Sequence, residues 1–152
     1  MKVIYITQNK KAYHDYHVFD TYEAGIQLRG SEIKQIRHNK IVINDAYVNI
    51  ENYQAYLLNA DIQSVQNSNI FSHQAKRERK LLLHKNEILK LKMQKERKGF
   101  TIIPLKVYIN NGLCKVQIAL VKGKDKVDKR QALKEKDQKD HLQRILTRSK
   151  SL

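Results

Sequence analysis

The side chains best equipped to do chemistry in this sequence are cations. Thirty lysines and arginines stand against 15 aspartates and glutamates, a formal net charge of +15 over 152 residues. They are unevenly spread. Residues 76–98 hold ten bases and three acids, and residues 121–152 hold eleven and five, so these stretches carry +7 and +6 of the total. Like charges left uncompensated repel one another, and a polyanion relieves that repulsion, which favours RNA or DNA contact over a merely solvated face. Groups for covalent chemistry are scarce. There is no phosphate loop, Gly-rich dinucleotide fingerprint, His-Glu-x-x-His or nucleophile elbow. His14 and His17 are three apart where a strand begins, and surface or partly packed histidines explain them better than a metal pair does. Cys114 is the one cysteine. It excludes an internal disulfide and any Cys-pair metal site, and on the apolar side of its strand it reads as core. No enzyme, metal or cofactor is expected; a binding protein is.

The elements that must position these groups are mostly strands. The opening Met1–Thr7 is too short for a signal-peptide core and reads as a strand. In 22–29, Tyr22, Ala24, Ile26 and Leu28 face one side while Glu23, Gly25, Gln27 and Arg29 face the other, a half-buried strand ending at Gly30. A short helix follows over 31–37, with Ser31 as its N-cap and Ile33 and Ile36 three apart. Strands are expected at 47–51, 54–60 and 61–65. Asn52-Tyr53 makes an imperfect two-residue turn, because a type I′ turn wants φ > 0 at both positions and Tyr resists it. Asn110-Asn111-Gly112 between 102–109 and 113–121 is a strong hairpin signal. Residues 67–80 read as a loop ending in a basic run, 76–80, and 85–98 as a helix stopped by Gly99. Residues 122–152 contain no aromatic residue and only a thin apolar stripe, which predicts a segment mobile alone that folds on a partner. The fold class expected is mainly β with α: an antiparallel, partly closed barrel of the oligonucleotide-binding type with inserted helices, over 1–121, and a basic tail over 122–152.

Several ordered stretches together resemble one family. Gln8-Asn9-Lys10-Lys11-Ala12-Tyr13-His14-Asp15-Tyr16, Tyr22-Glu23-Ala24-Gly25-Ile26, Gly30-Ser31-Glu32-Ile33-Lys34-Gln35-Ile36-Arg37 and Arg79-Lys80-Leu81-Leu82-Leu83 resemble SmpB, the SsrA-binding protein of bacteria. So does the 107–121 hairpin running into Lys122-Gly123-Lys124 and Asp128-Lys129-Arg130. The likeness spans nearly the whole chain. It implies a protein that binds transfer-messenger RNA and delivers it to ribosomes stalled without a usable stop codon. The body would grip the tRNA-like end, which lacks an anticodon arm, and the tail would occupy the empty decoding site and mRNA channel, becoming helical there.

Carried over by that resemblance, Asn9, Glu23, Leu82 and Lys115 match positions that contact transfer-messenger RNA, with Lys10, His14 and Arg37 added as further RNA contacts. Glu23 and Lys115 fall on the polar faces of their strands. An acid on an RNA-binding face can accept from a base amino group, whereas a lysine meets phosphate without regard to sequence. Glu23 could equally be an exposed carboxylate, Leu82 a core residue and Asn9 a turn residue. Tyr13, His14 and Tyr16 could stack on unpaired bases. In the tail, Asp128, Lys129 and Arg130 match the family's Asp-Lys-Arg motif, which implies contact with small-subunit ribosomal RNA near the decoding centre, and Ile145 and Leu146 match an apolar pair. Val127 stands where some members have a histidine or aromatic residue.

The partners implied are thus transfer-messenger RNA and the ribosome, with a monomer, a cytoplasmic location and no membrane expected. No apolar run approaches the ~20 residues of a membrane span, and the tail's stripe is too thin for interfacial anchoring. The alternatives are a general RNA- or ribosome-associated module without that specificity and, from another class, an RNA-modifying or RNA-cleaving enzyme.

Overall fold

A computed structural model describes residues 3–64 and 74–124. The expected contacts at Asp128, Lys129, Arg130, Ile145 and Leu146 lie outside them, as do Val127 and most of the expected tail.

Seven strands form one antiparallel sheet in the order β1 (Val3–Gln8), β8 (Phe100–Asn110), β9 (Leu113–Gly123), β2 (Tyr16–Ile26), β7 (Arg79–Leu82), β5 (Gln54–Leu58), β4 (Tyr47–Glu51). β4, the far edge strand, returns against β8, so the sheet curls into a partly closed barrel. β3 (Ile41–Val42) and β6 (Asp61–Ile62) pair as a short ribbon. Among the described residues three helices are inserted: α1 (Ala12–Asp15), α2 (Gly30–Arg37) and α3 (Lys85–Lys95).

Alternation explains the core. Val116, Ile118 and Leu120 of β9 point inward with Ala24, Leu57, Leu81, Ile102 and Val107 and with Ile36 of α2. On the opposite face Ala119 and Val121 are covered too, in a second, smaller cluster with Ala12, Ile103 and Leu105. Asn111-Gly112 makes the expected hairpin turn with φ of 52° and 80°, and Asn110 pairs with Leu113. The Asn52-Tyr53 turn keeps only two residues, with φ of 51° and 60°. Lys92 Nζ of α3 lies 4.3 Å from the centre of the Tyr53 ring, and this contact offsets part of the left-handed strain.

Several boundaries differ from the sequence reading. β2 starts at Tyr16 and stops at Ile26. β5 ends at Leu58 because Asn59 turns left-handed, with φ 61°. β6 is two residues long. α3 ends at Lys95, with Gly99 at φ 86° beyond it. β9 continues through Gly123, and Lys124 N–H donates to Asp15 O at 2.9 Å, so the fold runs past 121.

Two corrections have larger consequences. Ser31 lies inside α2, not at its cap; Arg29 is the capping residue, and Glu32 Oε1 accepts its N–H at 2.7 Å. The basic run 76–80 does not simply end the expected 67–80 loop, since β7 begins inside it and Arg79 is fully buried. Arg79 Nε donates to Glu32 Oε2 at 2.6 Å, and Arg77 Nη2 to Glu32 Oε1 at 2.7 Å. Burial raises the Glu32 pKa, but hydrogen bonds from Arg77, Arg29 and Arg79 outweigh it and hold the carboxyl below its ordinary value. This ion cluster fastens α2 to β7.

Candidate nucleic-acid interface

Strand register places the candidate residues. Gly25 of β2 is opposite Leu82 of β7 on one side and Lys115 of β9 on the other. Lys115 is opposite Tyr108 of β8, which is opposite Tyr5 of β1. Directly opposed residues share a face. The outer face of the barrel therefore carries one continuous row, Leu82–Gly25–Lys115–Tyr108–Tyr5, across five strands. A second row two residues along is Glu23–Gln117–Lys106–Gln8.

Gly25 makes the first row concave. Strands lie about 4.8 Å apart, so the backbones of Leu82 and Lys115 are roughly 10 Å apart across Gly25, and the Leu82 side chain leans over the glycine. A Cβ at Gly25 would come within 3.3 Å of Leu82 Cβ. The resulting groove, about 270 Å³, is walled by Leu82, Lys115 and Gly112–Cys114 and, from α2, by Ile33, Ile36 and Arg37. Glu23 joins Gly25, Leu82 and Lys115 in an adjoining cleft with His84 and Glu87.

Leu82 is 49% exposed while Leu81 is buried. Alternation thus sends Leu82 outward as an apolar wall. Glu23 accepts a hydrogen bond from Tyr108 Oη at 2.5 Å. Burial, then the Glu23 carboxylate, pushes the Tyr108 phenol above its ordinary value, so it stays protonated and donates. That fixes one carboxylate oxygen of Glu23 and leaves acceptor capacity for a ligand.

The structure thus brings together Glu23, Leu82, Lys115 and Arg37. Lys10 lies beyond the end of the second row, in a shallow groove with Tyr5, Gln8 and Lys106. Asn9 is next to it in sequence but only 3% exposed. Its N–H donates to Leu105 O at 2.7 Å and its Nδ2 to Pro104 O at 3.4 Å. Its Oδ1 is buried without a partner among the described residues, on the wall of a different groove with Lys11, Ala12 and Tyr47. His14 is apart from the group. It sits on α1 at the far end of β2, on the order of 20 Å along the strand from Glu23, with Nδ1 3.0 Å from Asp15 Oδ1.

Tyr5, Lys106 and Tyr108 are the residues on this face that sequence reading missed. The signal was present, because a two-residue Asn-Gly turn fixes the register and puts Tyr108 opposite Lys115. Among the described residues no group of three His, Cys, Asp or Glu side chains could hold a metal ion, and no helix is long and apolar enough to cross a membrane.

The family model described as "SmpB protein" matches residues 6–148. The chain belongs to the SmpB family. It is 50% identical over 141 residues to the SsrA-binding protein of Enterococcus hirae, covering 93% of this chain and 92% of that one. The SsrA-binding protein of Bdellovibrio bacteriovorus is 43% identical over 148 residues, 97% of each. A solved chain from work described as "tmRNA-SmpB: a journey to the center of the bacterial ribosome" superposes with a TM-score of 0.67 at 38% identity, covering 84% of this chain and 93% of that chain. SmpB membership fits a sheet whose outer face offers fixed polar groups and cations.

Proposed function

We propose that this chain binds transfer-messenger RNA (SsrA RNA) and delivers it to stalled ribosomes in trans-translation, with no covalent step of its own. The observation that carries this reading is the concave row Leu82–Gly25–Lys115 with Glu23 beside it. Lys115, Arg37 and Lys10 meet phosphates and release counterions, while Glu23, oriented by Tyr108, accepts from a base or ribose donor and fixes register. Leu82 packs against a sugar or base face. Asn9 contacts the RNA from the separate groove that its unpartnered Oδ1 lines, since a buried acceptor gains most from a ligand's donor. His14 is a peripheral contact. Beyond the described residues, Asp128, Lys129 and Arg130 touch small-subunit ribosomal RNA near the decoding centre, and Ile145 and Leu146 pack the tail as it becomes helical there. The protein acts as a cytoplasmic monomer.

The test is competition. Labelled transfer-messenger RNA should stay bound when elongator tRNA is in large excess, and release by ordinary tRNA would favour a general RNA-binding module. Removing 125–152 should leave RNA affinity nearly intact while abolishing peptide tagging on stalled ribosomes. A large affinity loss would refute the division between body and tail.

A further inference from the structure

The first row does not end at Lys115. It continues through Tyr108 to Tyr5 on edge strand β1. Tyr5 is 68% exposed, among the most exposed large apolar-bodied side chains described. The exposed ring offers an apolar face whose burial by a ligand would be favourable. Its inner side is held: the Tyr108 ring lies 5.8 Å away, tilted by 50°, and Lys106 Nζ is 5.8 Å from the Tyr5 ring centre. Regular alternation through Val3, Ile4 and Tyr5 keeps Tyr5 outside opposite Tyr108, and Ile6 turns to the core before the register shift at Thr7.

The surroundings select the occupant. Lys10 and Lys106 border the shallow groove of about 520 Å³ in which Tyr5 lies, and Lys115 is two strands away. The one acid of the two rows, Glu23, is already engaged by Tyr108. A ring backed by a second ring and flanked by cations suits a planar, electron-rich group carried on a phosphate chain. An apolar protein segment would instead have to desolvate those lysines.

We propose that Tyr5, braced by Tyr108 and Lys106, is a stacking platform for an unpaired base of the bound transfer-messenger RNA. The proposal rests on the function argued above. It extends the RNA footprint by two strands, from the Gly25 groove to the edge of the sheet, and adds a contact that senses strandedness, because only an unpaired base exposes a face to stack.

The chain contains no tryptophan, so Tyr5→Trp introduces a single indole reporter at the platform. Saturating transfer-messenger RNA should quench that emission strongly, and the variant should bind at least as tightly as the parent chain. Tyr5→Leu, which keeps apolar bulk but has no ring face, should bind about tenfold more weakly with an unchanged salt slope. Tyr5→Phe should stay within about twofold of the parent. Emission that stays bright at saturation, or parental affinity in Tyr5→Leu, overturns the platform. A parent chain with no preference for transfer-messenger RNA over elongator tRNA instead overturns the function on which it rests.

Discussion

Glu32→Gln tests the fastening between the two walls of the Gly25 groove. One wall, with Arg37, belongs to α2; the other, with Leu82, belongs to β7. Glu32 has no exposed surface and accepts four hydrogen bonds: from Arg29 N–H and Arg77 Nη2 to one oxygen, and from Arg79 Nε and Arg77 Nε to the other. Glutamine keeps the shape but removes the charge and turns one acceptor into a donor facing a guanidinium. Arg79 still has the carbonyls of Ala60, Arg77, Gln74 and Ala75, yet its buried charge loses its counterion. Breaking one side of a buried pair costs about 3–5 kcal/mol. Domains hold roughly 5–15 kcal/mol in all, so the loss amounts to a large share. At about 2–4 °C per kcal/mol, Tm should drop by roughly 6–20 °C. The pH dependence has a definite sign. The Glu32 carboxyl is depressed in the fold, so its contribution is complete above the unfolded carboxyl value of about 4.3 and disappears as pH falls below it. Urea melts from pH 3 to 7 should show the parent losing stability through that window and Glu32→Gln losing less. A Glu32→Gln variant within about 1 kcal/mol of the parent at pH 7 would show that the cluster is not what joins α2 to β7.

Further outcomes follow from the same coordinates. Gly25→Ala places a Cβ 3.3 Å from Leu82 Cβ; it should cost no more than about 1 kcal/mol in a melt while clearly weakening RNA binding in a filter assay, and unchanged binding would remove the groove from the interface. Burial pushes the Cys114 thiol up to about 11, so at pH 8 it should react with iodoacetamide at least a hundredfold more slowly than an exposed cysteine, regaining speed in denaturant; fast labelling would contradict its packing. With residues 125–152 removed, four cations on the face (Lys10, Arg37, Lys106 and Lys115) give a salt slope near −3.6, or about a hundredfold weaker binding at 200 than at 50 mM salt. A flat titration would deny them phosphate contact.

The period-2 alternation in β2 and β9 was legible because the core-facing side is apolar at Tyr22, Ala24 and Ile26 in one strand and at Val116, Ile118 and Leu120 in the other, and Asn111-Gly112 fixed the hairpin register. What could not be read came from long-range choices. Nothing local marks Arg79 as buried: its neighbours Lys76, Arg77 and Lys80 are cations too, and only Glu32, 47 positions away, turns it inward. The cap of α2 moved to Arg29 for the same reason, since Glu32 reaches back to that N–H while holding both guanidiniums. Leu82 was ambiguous inside an apolar triplet until strand pairing sent it outward. Asn9 read as a turn residue or a contact, and its burial depends on the carbonyls of Pro104 and Leu105 from a strand almost a hundred residues on.

Charge counted along the chain and charge arranged in space give different interfaces. The excess in 76–98 reads as a binding stretch, yet Arg77 and Arg79 neutralise Glu32, and Lys92 and Lys95 of α3 are held by Tyr53 and by Asn49 with the Val48 carbonyl. Much of that excess is structural. The cations on the concave face come instead from stretches with an ordinary balance, Lys10 and Arg37 near one end and Lys106 and Lys115 in the central hairpin. None of these four makes an ion pair among the described residues. A lysine already holding a carbonyl or a ring must give that up to meet a phosphate, whereas an uncommitted one loses only water and counterions. Lys106 itself faces the Tyr5 ring, so affinity should track Lys10, Arg37 and Lys115 more than the longer basic runs, which makes Lys115→Gln more damaging to RNA binding than Lys92→Gln despite the smaller local charge density around it.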